Sequence, residues 1–320
     1  MKRWTFILAM WLTAAAWSAT PPPEFISDCE RLSAEPHRLS GTPEYNRAAD
    51  YVMARLQALS PDTIFEQPFA TAQIEKQHAD LVLADGRTLE LQPMRPNGII
   101  PPVTPEGGVT GRVVHTGQGT AADFERESVD GALVVLDYNC GQGWLRALRL
   151  GAKAVIFTKP SEADARHPHH VVSNVNLLRF YYDGPAADIP AGTTATLHSS
   201  IVWTPAVGRN LFAFFQGTDP VFAQSKEEVV ILAANLDSYG EAPWLSPGAR
   251  GAANAAALLH LAGEVSRNRP RRHTLIAFFD QQARGHLGSS YFYRALEADK
   301  PDVTLAKREE SYTNEMAFIT

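Results

Sequence analysis

Apolar residues recur at helical spacing along two long stretches of this chain. Over residues 44–59, Ala48, Tyr51, Val52, Leu56 and Leu59 fall on one face, the three-and-four spacing of a helix that buries one stripe. Over residues 252–267 the stripe is Ala255, Leu258, Leu259, Ala262 and Val265, and its small members allow close packing on a sheet. The basic run at residues 268–272 ends that helix where its dipole favours cations and reads as a solvated connector. Shorter helices are predicted over residues 25–32, over residues 144–150 with a stop at Gly151, and after Ser289 through Tyr291, Phe292, Ala295 and Leu296. Short apolar runs predict strands at residues 111–117, 130–138, 153–158, 229–234 and 273–279, and residues 79–91 read as a hairpin turning at Asp85-Gly86.

The chain has 320 residues, of which 45% are hydrophobic, an ordinary globular composition with room for one large or two medium domains. Met1-Lys2-Arg3 and the apolar run from Trp4 to Trp17 read as a secretory signal peptide over residues 1–18, too short for the ~20 residues of a bilayer span. Export implies a secreted or periplasmic protein with no stable membrane span after cleavage. Removing Lys2 and Arg3 takes the formal net charge of -6 down by two, and a mildly acidic exported protein has no electrostatic reason to seek nucleic acid. The two cysteines, Cys29 and Cys140, lie far apart in sequence, which leaves a disulfide between them open.

The stretch from Glu227 to Ser289 carries the chemistry. It runs from an apolar strand into Asn235-Leu236-Asp237-Ser238, through a loop to Ser246-Pro247-Gly248-Ala249-Arg250-Gly251, along the Ala/Leu helix, and through a second strand into Asp280-Gln281-Gln282-Ala283-Arg284-Gly285-His286-Leu287-Gly288-Ser289. This layout resembles the zinc exopeptidases of metallopeptidase family 28, whose corresponding blocks are His-x-Asp-Ser, Pro-Gly-Ala-Asp-Asp-Asn and Glu-Glu-x-Gly-Leu-Leu-Gly-Ser. The turn Arg38-Leu-Ser-Gly-Thr-Pro43, residues 65–69 and the segment from Asn210 to Pro220 resemble further parts of the same framework. The short strands of residues 93–209 resemble the protease-associated domain inserted in many members. The resemblance covers nearly all of the mature chain. It implies an α/β fold with a mixed central sheet flanked by helices: an N-terminal part over residues 21–92, the β-rich insert over 93–209, and an abbreviated C-terminal part over 210–320. The family's remaining Asp and His ligands come after this point, so either the fold is abbreviated or the chain is part of a longer protein.

The resemblance also locates the substitutions. Asn235 stands at a zinc-binding His, Arg250 and Gly251 at an Asp-Asp pair that includes the metal bridge, Gln282 at the general-base Glu, and Ala283 at the next Glu, a ligand; the orienting Asp237 is kept. Zinc is held by thiolate, imidazole or carboxylate, and an arginine has no acceptor to offer. With unit charges ~4 Å apart interacting by about 4 kcal/mol at an effective dielectric of about 20, Zn²⁺ against Arg⁺ costs on the order of 8 kcal/mol. An amide cannot take a proton from a metal-bound water at neutral pH. The sequence therefore points to a degenerate member with no confident catalytic residue and no expected cofactor, serving as a binding or scaffolding module for peptides or proteins. The alternative is an active metallo-aminopeptidase or related hydrolase that takes zinc through non-standard or downstream ligands.

Arg250 is expected to replace the metal's charge by pairing with Asp237 or Asp280, against the plainer reading that it points to solvent. The histidines of His167-Pro168-His169-His170 read as an exposed loop, and His260 and His286 as structural residues. Ser238 and Ser246 lack the pattern of a nucleophile elbow, and no phosphate loop or dinucleotide fingerprint appears.

Overall fold

The computed structural model describes residues 21–94, 102–159, 177–221, 227–238, 248–282 and 285–298. The expected signal peptide, the histidine cluster at 167–170, Ser246, Pro247, Ala283 and the C-terminal residues 299–320 lie outside that set.

Two strands of unusual length organise the molecule. β1 (Thr63–Leu83) and β8 (Thr194–Phe215) pair antiparallel over nearly their whole length. The other edge of β8 is divided: residues 194–197 pair with β4 (Val109–His115) and residues 211–215 with β10 (His273–Phe279). The sequence pattern had predicted only a hairpin at one end of β1 and a returning strand from Asn210 at one end of β8. Between these ends, residues 200–207 are only half-buried or exposed, so no alternation of buried and solvated positions marks them as strand. The expected division at residues 209–210 falls inside β8.

At the β10 end, β9 (Val229–Asn235) pairs parallel with β10. One face of this sheet is covered by α1 (Pro23–Ser33), α2 (Pro43–Ala58) and α5 (Ala249–Arg267). The predicted stripes face inward there: Ala48, Val52 and Leu56 from α2 and Ala255, Leu258, Leu259 and Ala262 from α5 meet Leu211, Ala213, Ile276 and Phe278. At about 25 cal/mol per Å² of apolar surface removed from water, this burial is the main favourable contribution. The opposite face is covered by α6 (Leu287–Ala298), whose Phe292 stacks on Phe212 with centroids 5.1 Å apart.

At the other end, β4 continues into a parallel set with β5 (Leu133–Asp137), β6 (Ala154–Thr158) and β7 (Leu178–Tyr182). The short helices α3 (Ala121–Glu125) and α4 (Trp144–Arg149) belong to this region, with Trp144 and Ala147 of α4 packed in its core. β2 (Thr88–Glu90) closes the hairpin on β1, and β3 (Gln92–Pro93) pairs with β7. The result is a large mixed sheet flanked by helices, the architecture the sequence predicted. Cys29 and Cys140 are both free thiols, and burial pushes the Cys140 thiol up to about 12.

Candidate functional site

Four chain segments converge where β9 and β10 end, beside the point at which β8 has neither β4 nor β10 as its partner. They are the loop between α1 and α2, the residues after β9, the first turn of α5, and the residues after β10 leading into α6.

Arg38 from the first loop is almost fully buried, 1% exposed. Its side chain donates through Nε to the Leu236 carbonyl at 3.0 Å, through one terminal nitrogen to the Leu32 carbonyl, and through the other to the Gly248 carbonyl at 3.1 Å. Burial pulls its pKa down to about 10, opposed by attraction to the Asp237 carboxylate. Gly248, with φ +66°, caps α5 in the left-handed region, and a Cβ there would stand 2.6 Å from Ser238 Cβ. Only glycine lets the helix start so close to the end of β9.

Asp280, the first residue after β10, is fully buried. Its Oδ2 accepts from Ser40 Oγ and from the Arg209 amide, each at 2.9 Å, and its Oδ1 accepts from the Gln281 amide at 2.6 Å. Burial pushes its pKa up to about 7, with Asp237 adding to the rise and the donated hydrogen bonds opposing it. The buried Asn210 side chain accepts from the Asp280 amide at 3.1 Å and donates to Gln67 Oε1 and the Gly288 carbonyl, both at 2.9 Å.

Gln282 is buried as well. Its Oε1 accepts from His286 Nδ1 at 3.0 Å and from Ser289 Oγ at 3.1 Å, and its Nε2 donates to the Asp280 carbonyl at 3.3 Å. A carbonyl oxygen has two lone pairs, and both are in use. Gln281 and His286, on either side, adopt φ of +51° and +58°; non-glycine residues in this region mark backbone held in place by its surroundings. The Gln281 side chain accepts from Thr71 Oγ1 at 2.7 Å, which ties the segment to β1.

The sequence-predicted residues divide in two. Asp237, Asp280 and Gln282 are buried at this junction, and Gly251 lies at the start of α5 with its missing Cβ 3.5 Å from an Arg38 terminal nitrogen. Asn235, the last residue of β9, is exposed. Arg250 is also exposed, and no ion pair joins it to Asp237 or Asp280. The expectation that Arg250 neutralises these carboxylates is thus corrected: the first turn of α5 points it outward, and the buried cation attracted to Asp237 is Arg38. His260 is half-buried on α5, whereas His286 belongs to the site through Gln282. Ser238 accepts from the Arg38 amide, a structural bond. Sequence reasoning missed Arg38, Ser40, Arg209 and Asn210; the available signals were polar residues within the Gly/Pro turn at 38–43 and the Arg-Asn pair heading the apolar run at 211–215.

No family model matches the chain, and no curated protein sequence matches it. Among solved structures it is similar to BSAP, a zinc aminopeptidase from Bacillus subtilis, with 22% identity and a TM-score of 0.58 over 85% of this chain and 64% of that one. It is also similar to a Peptidase M28 precursor from Shewanella amazonensis SB2B, with 18% identity and a TM-score of 0.56 over 87% of this chain and 68% of that one. At these identities the likeness establishes the fold, a zinc-aminopeptidase-like α/β architecture. The chain spans about two thirds of the length of these structures.

The resemblance of the sequence to zinc exopeptidases implies zinc, and among the described residues the donor set at this junction does not fit it. Zinc needs several anionic or imidazole donors with open lone pairs. Here Gln282 is a neutral amide whose oxygen is saturated, Asn235 is a neutral amide facing solvent, Arg250 and Gly251 offer no acceptor side chain, and the Asp280 carboxylate is occupied by three donors.

Proposed function

We propose that this chain is an exported, zinc-aminopeptidase-like module that binds peptides or proteins without metal-dependent hydrolysis. The observation that carries the reading is the hydrogen bonding of Gln282. At the position where the resembling family has its general base, this side chain accepts twice and donates once within the protein, so it has neither a free lone pair for a metal-bound water nor a group able to take its proton. A peptide-binding role is supported by the strand ribbon that leads up to the site. On β8, Val207, two residues before Arg209, is 56% exposed and Trp203, further along, 48% exposed, and the paired strand β1 contributes Thr71, which donates to Gln281. Exposed apolar side chains on a paired strand ribbon beside buried carboxylates suit an extended peptide with an apolar residue.

The test is to titrate the purified chain with fluorescent peptides of varied N-terminal residue and to recover each peptide for mass spectrometry. Saturable binding with every peptide recovered intact is expected. Release of the N-terminal residue would establish the hydrolase alternative, and absence of binding across the set would refute the binding role.

A further inference from the structure

A cleft of about 490 Å³ opens in the part of the molecule built on β4, β5 and β6, between the loop that follows β4 and the helix α4. Its volume falls within the range of ligand pockets, roughly 300–1,000 Å³. Two arginines give it a sign. Arg146 and Arg149 stand three residues apart on α4, which puts them on one face of the helix, and both line the cleft. Arg146 donates through one terminal nitrogen to the Gly119 carbonyl at 2.8 Å. That bond holds its guanidinium across the gap between helix and loop and leaves further N–H groups to donate. Neither arginine forms an ion pair among the described residues.

The rest of the lining is uncharged. It contains no acidic residue, and Cys140, whose thiol burial pushes up to about 12, adds no negative charge. The acid next along the loop, Asp123, lies outside the cleft and is engaged with its own helix start, where Oδ2 accepts from the Thr120 amide at 2.9 Å and from Thr120 Oγ1 at 2.7 Å. Gln118 and Gln142, both exposed, bring a side-chain amide from each wall, and an amide can donate to and accept from a hydroxyl.

We infer that this cleft binds a phosphorylated sugar, with the phosphate on Arg146 and Arg149 and the hydroxyls on the amides of Gln118 and Gln142. A phosphate monoester has three terminal oxygens and can take charge-assisted bonds from two guanidinium groups at once, whereas the two oxygens of a carboxylate are satisfied by a single arginine fork. The paired arginines therefore favour the phosphate over a sugar acid of the same size, and the polar walls favour a polyol over an apolar body.

The test is calorimetric titration of the full chain with glucose 6-phosphate, glucose, glucuronate and inorganic phosphate, repeated on Arg149→Met and on Arg87→Met. Arg149 is exposed, so its replacement leaves the fold intact; Arg87, exposed and paired with Asp85 on the hairpin of β1 and β2, lies outside the cleft and controls for the loss of a surface charge. Glucose 6-phosphate is expected to bind, with glucose, glucuronate and inorganic phosphate each at least about tenfold weaker. Arg149→Met should weaken it about tenfold or more, as expected for loss of a charge-assisted bond, and Arg87→Met should leave it unchanged. No binding of glucose 6-phosphate, equal binding of any of the three comparison ligands, indifference to Arg149→Met, or an equal loss in Arg87→Met would each overturn the proposal.

Discussion

Arg38 and Ser238, 200 residues apart, hold each other through a reciprocal pair: the Arg38 amide donates to Ser238 Oγ at 2.6 Å, and the Ser238 amide donates to the Arg38 carbonyl at 2.9 Å. The Arg38 guanidinium then reaches past this pair to carbonyls of α1, the β9 end and the α5 start. Replacing Arg38 by Met leaves two buried carbonyls and one half-buried one without that donor and Asp237 without its cation, and removal of one partner from such an arrangement costs roughly 3 kcal/mol or more. Urea denaturation should show that loss for Arg38→Met and about 1 kcal/mol for Ser238→Ala. Equal midpoints for wild type and Arg38→Met would remove Arg38 from its structural role.

Gly248→Ala tests the same junction from the helix side. The residue has φ +66° and its Cβ would stand 2.6 Å from Ser238 Cβ. A left-handed conformation costs a residue other than glycine on the order of 1 kcal/mol, and the close contact adds to it. A loss of about 2 kcal/mol is expected, with the melting temperature lowered accordingly; an unchanged temperature would show that α5 can start elsewhere.

Asp280 makes stability depend on pH. Its pKa rises from the ordinary 3.8 to about 7, mainly through burial, so in that interval the folded chain keeps a proton the unfolded chain has released. Bound protons then favour the folded state, and the contribution of this group to stability falls as pH rises from about 4 to about 7 and levels off above that. Unfolding free energies measured across this range should therefore decline less steeply for Asp280→Asn than for wild type. The comparison is of slopes, because the asparagine also loses an acceptor for one of the three donors. Parallel slopes would show that the group is already ionised in the folded chain near pH 5.

Gln282→Ala removes the acceptor shared by His286 and Ser289, at a cost of roughly 1–2 kcal/mol. The effect should be local, because both contacts lie within residues 282–289, the segment that starts α6. Hydrogen exchange of the amides of residues 285–290 should accelerate, while those of β10 keep their protection. Acceleration spread evenly over β10 would mean that Gln282 supports the whole sheet.

Much of the framework was legible because it rests on burial along single elements. The stripe of Ala255, Leu258, Leu259 and Ala262 predicted the inward face of α5, and the apolar run at 273–279 predicted β10, whose residues are all buried. The ribbon of β1 and β8 was not legible: its middle is solvated on much of both faces and contains Pro205, so pairing rather than patterning makes it a strand. Arg38 was hidden for a related reason. A cation in a turn reads as solvated, and its burial depends on carbonyls as far as 210 residues away. At Gln282 the family resemblance implied an amide where a general base is expected, but only side-chain geometry showed that the amide oxygen is spoken for by His286 and Ser289.

The most direct test of the central claim is zinc titration of metal-stripped protein by calorimetry, alongside the same titration of a variant carrying Asn235→His, Arg250→Asp, Gln282→Glu and Ala283→Glu together. The wild-type chain is expected to give no saturable zinc binding at the junction of β9 and β10, with the variant binding at least about a thousandfold more tightly, because it gains one imidazole and three carboxylate donors. Stoichiometric, tight zinc binding by the wild-type chain that is abolished by Asp237→Ala would contradict the account.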